Sequence, residues 1–190
     1  MTVSPPRRPT GRDEIRTAVL AAAARHFAAH GTSASLRDIA DDAQVNVGLI
    51  HRHFGNKDEL LKAVLGAQTT AGAAFVATTL DPAVAVRHIF EQSKDSPYIR
   101  TLAWLLLADE RAEQFQDHYP TIDALRRKLR TEEQQLGLLA SFAIIYGWAV
   151  FGDQLLLAFD QKEHDRKYVT GRLGDLVEQL VATGIPAPPR

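Results

Sequence analysis

Residues 46–57 hold the side chains best suited to recognising another polar surface. Arg52 carries a guanidinium that can make two parallel hydrogen bonds, His51 and His53 flank it, Gly48 stands one helical turn before it and Lys57 lies one turn beyond. No nucleophile with a base at working distance is suggested, and the chain has no GxSxG, no P-loop and no HExxH. The chemistry these residues offer is hydrogen bonding and apolar contact. Arg52 suits a guanine edge, Val47 and Leu49 suit thymine methyl groups, and Lys57, at a helix N-terminus, suits phosphate. Gly48 removes a side chain where a backbone must approach a groove closely. The seven histidines give no metal spacing. His51 and His53 diverge on a helix, and His26 and His30 find no acidic partner at ligand spacing, so no metal and no cofactor are expected.

The elements that must position these residues follow from periodicity and caps. Leu36, Ile39, Ala40 and Ala43 recur at helical spacing, with Ser35 as N-cap and Asp38 as its capping-box partner. Gln44-Val45-Asn46 forms the turn, and Asn46 caps a second short helix over about Val47–His53 that buries Ile50 and Phe54. Two short helices across a tight turn make a helix-turn-helix, whose second helix can enter a DNA major groove. A preceding helix from about Asp13 to His30, stopped by Gly31, braces it through Val19, Leu20, Ala23 and Phe27. A following helix opens at Asn56, with Glu59 as box partner, and runs to about Thr78.

These residues resemble the TetR (tetracycline-repressor-like) family of transcriptional regulators. The match is carried by Leu36-Arg37-Asp38-Ile39-Ala40, Ala43, Val45, Gly48 to Phe54 and Lys57-Asp58-Glu59-Leu60-Leu61, with Val19 to Ala23 and Phe27 to Gly31 before them. It covers about residues 13–62; beyond them only helical character and length agree. Gln44 departs from the pattern, since the family usually has Gly there. A left-handed backbone is unfavourable for Gln, so a somewhat different turn geometry is expected.

Composition bounds the rest. The 190 residues suit a small and a larger domain, and 45% hydrophobic residues supply a substantial core. There is no cysteine, hence no disulfide and no thiol chemistry. The start of the chain has no signal-type apolar stretch, which predicts a cytoplasmic protein. A net charge of −1 argues against a generic basic binder. Residues 1–60 hold eight Arg or Lys against seven Asp or Glu, so placement rather than balance must serve any DNA contact.

The expected fold is all-α: an arm without periodic structure over 1–11, a helix-turn-helix DNA-binding domain over 12–60 and a helical effector-binding and dimerisation domain over 61–190. Ser35, Arg37, Asn46, Val47, Gly48, Leu49, His51, Arg52, His53 and Lys57 are the expected DNA contacts. Arg7, Arg8 and Arg12 are candidates for an arm that reaches a minor groove. In the body, Pro82, Pro97 and Pro120 each open a helix, the last in a basic stretch of Arg126, Arg127, Lys128 and Arg130. Two long helices follow, over about 132–159 and 164–183, with Gly184-Ile185-Pro186 as the stop. Leu136–Gly152 carries no charge, is too short for a membrane span and is apolar all round, so it needs burial on every side. A partner subunit meets that need, and the resemblance implies the same, since the family's last two helices pack against their symmetry mates. Phe142, Ala149, Val150, Leu173, Leu176 and Leu180 are placed at that interface. The resemblance also implies a ligand cavity, for which Phe75, His88, Phe90, Tyr98, Trp104, Asp109 and Tyr146 are candidates.

These observations point to a non-enzymatic, dimeric, ligand-responsive repressor of a palindromic operator, with double-stranded DNA, a second copy and an unidentified small molecule as partners. The alternative is a helical carrier or enzyme with only a helix-turn-helix-like turn. Such a protein has no need of Gly48, Arg52 and Lys57 together.

Overall fold

Short polar residues and prolines open the helices where helix chemistry asks for them. The computed structural model describes residues 9–108, 114–161 and 165–186, and these are helical with no strand among them. The helices are α1 (Arg12–His30), α2 (Leu36–Asp42), α3 (Val47–Phe54), α4 (Lys57–Thr78), α5 (Pro82–Gln92), α6 (Pro97–Leu107), α7 (Pro120–Arg126), α8 (Glu132–Ala158) and α9 (Asp165–Thr183). A 3-10 turn, Gly31–Ser33, follows α1. Asn56 and Glu59 form a complete capping box: the Asn56 amide donates to Glu59 Oε2 at 2.8 Å, and the Glu59 amide donates to Asn56 Oδ1 at 2.9 Å. Asp81 accepts from the Ala83 amide, and Thr131 from the Gln134 amide.

The chain divides into two compact units. The first comprises residues 1–68 and 100–117, so α6 from Arg100 onward belongs with the N-terminal helices. Its core is Val19, Ala22, Ala23 and Phe27 of α1, Ile39 and Ala40 of α2, Ile50 of α3, and Leu60, Leu61, Val64 and Leu65 of α4, with Leu105 of α6. Sequence periodicity places a boundary near residue 60 but does not reveal that part of α6 returns to this unit.

The second unit comprises residues 69–99 and 118–190. Val76, Val86, Phe90, Ile99, Leu125, Leu138, Ile145, Trp148, Val177 and Val181 form its core. α8 and α9 run antiparallel along a close seam. Ser141 Oγ donates to the carbonyls of Gly137 (2.8 Å) and Val177 (3.2 Å), Gln134 Nε2 to Ala182 O (3.2 Å), and the Ile185 amide to Glu133 O (3.0 Å). Gly137 faces the Leu180 carbonyl so closely that any Cβ there would overlap it. α9 is tied to α5 by Arg87, whose Nη1 reaches Asp175 (2.6 Å) and Glu178 (2.9 Å).

α8 buries one stripe only: Gly137, Leu138, Ser141, Ile145, Trp148, Gly152 and Leu156. Leu136, Leu139, Phe151 and Leu155 remain 44–68% exposed. α4 and α8 both have the length and apolar composition of a membrane-crossing helix. The apolar stripe of α8 nevertheless packs into a protein core.

Candidate nucleic-acid interface

Ser35 starts the site by accepting hydrogen bonds from the amides of Arg37 (3.2 Å) and Asp38 (3.5 Å). Asp38 returns no bond to Ser35 among the described residues. Its carboxylate is one methylene shorter than the Glu that completes such a box at Glu59, and it serves α2 as an acid in the first turn.

α2 ends in a paired carbonyl lock. The Val45 amide donates to Ala40 O at 2.9 Å and the Gln44 amide to Asp41 O at 3.1 Å, the double bond of a Schellman stop. That stop needs a left-handed residue, and Gln44 provides it with φ 56°. The expected departure in turn geometry is therefore absent. Gln takes the backbone conformation that suits Gly, at a cost of about 1–2 kcal/mol, and two main-chain bonds offset it.

Asn46 Oδ1 then caps α3 through the Leu49 amide at 2.9 Å. Ile50 is fully buried and Phe54, one turn on, is half-buried. Gly48 and Arg52 are also one turn apart, on the opposite side, and both are exposed. A Cβ at Gly48 would come within 3.1 Å of Asn46 Oδ1, so glycine there also leaves the cap undisturbed. Val47, Leu49 and His53 are half-buried and flank this strip; Ser35, Arg37, Asn46 and His51 are exposed. His51 Nδ1 lies 3.0 Å from Gly55 O, which can only accept, so Nδ1 carries the donated proton. Lys57 is less available than its sequence position suggests: it is half-buried, and its Nζ donates to the Thr32 carbonyl at 2.5 Å. Arg12, with Ile15, Leu49, Arg52 and His53, lines a depression of about 480 Å³. Arg7 and Arg8 lie outside the described residues.

Two residues at this site carry no periodicity or motif signal and were not anticipated. Arg16 of α1 reaches the end of α3, and Arg25 pairs with Asp42 at the end of α2 at 2.8 Å. Both contacts join residues far apart in sequence.

The candidate ligand residues do not form one set. Phe75 and His88 pack ring against ring at a 33° tilt, with centres 4.6 Å apart. Tyr146 packs edge-on against Phe142 at 5.7 Å, and burial, reinforced by Tyr98 and Tyr119, pushes its phenol well above the usual range. Phe90 is packed into the core. Trp104 belongs to the first unit, and Asp109 lies outside the described residues. A separate apolar cavity of about 500 Å³ is lined by Ile144, Gly147, Trp148, Leu155, Leu156, Phe159, Gln161, Val169 and Leu173. Of the six residues placed at the dimer face, Phe142, Ala149, Val150, Leu173 and Leu180 are half-buried and Leu176 is 41% exposed.

Residues 19–64, which contain most of α1, all of α2 and α3 and the start of α4, match the model of bacterial regulatory proteins of the tetR family. An HTH-type transcriptional repressor of Mycobacterium tuberculosis is 37% identical over 153 residues, covering 77% of this chain and 78% of that protein. An HTH-type transcriptional regulator of Mycobacterium bovis matches to the same extent, 37% identical over 77% of this chain and 78% of its own length. This chain belongs to the TetR family. It is accordingly a sequence-specific DNA-binding transcriptional regulator. Solved folds agree. A putative TetR-family regulator from Mesorhizobium loti superposes with a TM-score of 0.59 at 14% identity, over 93% of this chain and 100% of that one. A TetR regulator from Rhodococcus gives 0.51 at 18% identity, over 90% and 98%.

Proposed function

We propose that this TetR-family member acts as a repressor that reads a near-palindromic operator through α3 and releases it when a small molecule binds the second unit. The observation that carries the reading is the exposed Gly48–Arg52 strip opposite buried Ile50. It leaves an exposed surface that carries the Arg52 guanidinium. Arg52 reads a base edge; Val47 and Leu49 touch thymine methyls; Ser35, Arg37, Asn46, His51, His53 and Arg12 surround them with phosphate contacts. Lys57, with one donor spent on Thr32, adds charge at the start of α4.

The outward residues Leu136 and Leu139 of α8, exposed together with Leu176 of α9, support a second copy as partner. Two copies present two reading helices, whose spacing must match one turn of DNA, about 34 Å. An effector that alters that spacing alters affinity; a coupling of about 1–3 kcal/mol is roughly 5–150-fold. The chain is read as a binding protein, with no bond-making role for any residue named.

The test starts from DNA that the full-length protein selects out of a random pool. Arg52→Ala is expected to lose about 1–3 kcal/mol on that operator and to relax preference at one position per half-site. Unchanged affinity and selectivity would mean that α3 does not read bases. Sedimentation should give about twice the 20.9 kDa chain mass; a monomer at micromolar concentration would remove the two-half-site reading.

A further inference from the structure

Arg16 stands in the second turn of α1 and is none of the DNA contacts named above. Its Nη1 donates to the His53 carbonyl at 3.2 Å, and its Cζ lies 4.6 Å from the centre of the Phe54 ring. His53 and Phe54 are the last two residues of α3. Carbonyls at a helix end lack partners inside the helix, and this end carries partial negative charge. The His51 carbonyl is taken by the Gly55 amide at 3.0 Å. Arg16 satisfies the His53 carbonyl, places a cation at the negative end, and stacks on the terminal ring. Only a planar guanidinium makes the bond and the stack together.

The consequence lies in how short α3 is. With eight residues it spans about 12 Å. Asn46 fixes its start and Ile50 its middle, so its remaining freedom is a tilt at the far end. Arg52 sits beside that end. A bidentate base contact tolerates displacement of only about 0.5 Å, so a small tilt removes it.

We propose that Arg16 is a positioning residue for operator recognition: clamped between His53 and Phe54, it holds the end of α3 against α1 and sets the angle at which Arg52 meets the base pairs. The proposal rests on α3 being the reading helix. It separates selectivity from general attraction. A phosphate contact strengthens binding to every sequence and steepens the salt dependence, whereas a positioning residue changes only the advantage of the correct sequence.

The experiment compares wild type, Arg16→Met, Arg16→Lys and Arg52→Ala, each as the full chain. Each is titrated with the duplex that wild type selects from a random pool, and with a random-sequence duplex of equal length, from about 50 to about 200 mM salt. Arg16→Met is expected to bind the selected duplex roughly tenfold more weakly, to bind the random duplex as wild type does, and to keep the wild-type salt slope. Arg16→Lys keeps the stem, the charge and a donor, so its folding is not at issue; it should fall between the two. Equal weakening on both duplexes, with a slope reduced by about 0.9 per lost contact, would make Arg16 a phosphate contact and overturn the proposal. So would a wild-type ratio in Arg16→Lys or Arg16→Met while Arg52→Ala loses selectivity. If Arg52→Ala also keeps the wild-type ratio, the reading-helix assignment falls with it.

Discussion

The indole of Trp104 closes over Gly31, the residue that ends α1. Trp104 Nε1 donates to the Ala28 carbonyl at 3.2 Å, and a Cβ on Gly31 would sit 3.0 Å from the Trp104 Cβ. Gly31 has φ 55° and ψ −142°, a region open in practice to glycine alone. Trp104, which the family resemblance makes a candidate for a ligand wall, thus seals the end of α1 in the DNA-reading unit.

Gly31→Ala should therefore lower stability by about 1–3 kcal/mol through backbone strain alone, with the Trp104 contact adding to it. Urea denaturation at constant slope measures this. A loss below about 0.5 kcal/mol would mean that the turn relaxes into an ordinary conformation.

Gln44→Gly should act in the opposite direction. It relieves a left-handed non-glycine residue at about 1–2 kcal/mol and gives part of that back through the greater freedom of glycine in the unfolded chain. Because Gln44 is exposed and the bonds of the stop are main-chain, a gain of about 0.5–1 kcal/mol is expected. Thermal melting would show it as a rise of a few degrees. A lower melting temperature would show that the Gln44 side chain contributes in its own right.

At Gly137 helix propensity and packing oppose each other. Alanine is favoured by about 1 kcal/mol inside an isolated helix. Here a Cβ overlaps the Leu180 backbone, which cannot swing aside as a flexible side chain does. Gly137→Ala is expected to destabilise by about 1–3 kcal/mol, the range for overpacked sites. A stabilised variant would mean that α8 and α9 part without cost.

Asp175 links stability to pH. Its hydrogen bond from Arg87 holds the carboxyl below the usual range. With the folded pKa depressed, the stabilisation is present above the unfolded value of about 3.9 and is lost as pH falls through the folded one. Arg87→Met should therefore be less stable than wild type at pH 7, and the gap should close below about pH 4. Guanidinium titrations at several pH values would test this; a gap unchanged down to pH 3 would assign Arg87 a packing role instead.

The sequence made legible what short-range chemistry controls. Ser35, Asn46 and Asn56 cap helices because each bonds an amide two or three residues away. The Ile50 and Phe54 face of α3 follows from the helical period. Gln44 shows where local preference fails: residue propensity argued for a changed turn, and two main-chain bonds overrode it. The contacts of Arg16, Trp104 and Lys57 were hidden because their partners stand 37, 76 and 25 residues away. The expected dimer-face residues of α8 came from an uncharged stretch with no marked inner side. Only the packing of α9 against Gly137, Ser141 and Ile145 shows that Leu136 and Leu139 turn outward.

The seam between α8 and α9 implies a mechanical unit. A main-chain bond from Ile185 to Glu133 and a side-chain bond from Gln134 to Ala182 hold one end, a hydroxyl bond from Ser141 to Val177 holds the other, and between them the absent side chain of Gly137 lets the backbones touch. Neither helix can slide or loosen along this stretch without breaking the partner's contacts. The two should open to solvent as one foldon, so the Ile185 amide, although beyond the end of α9, should exchange its hydrogen as slowly as the amides inside α8.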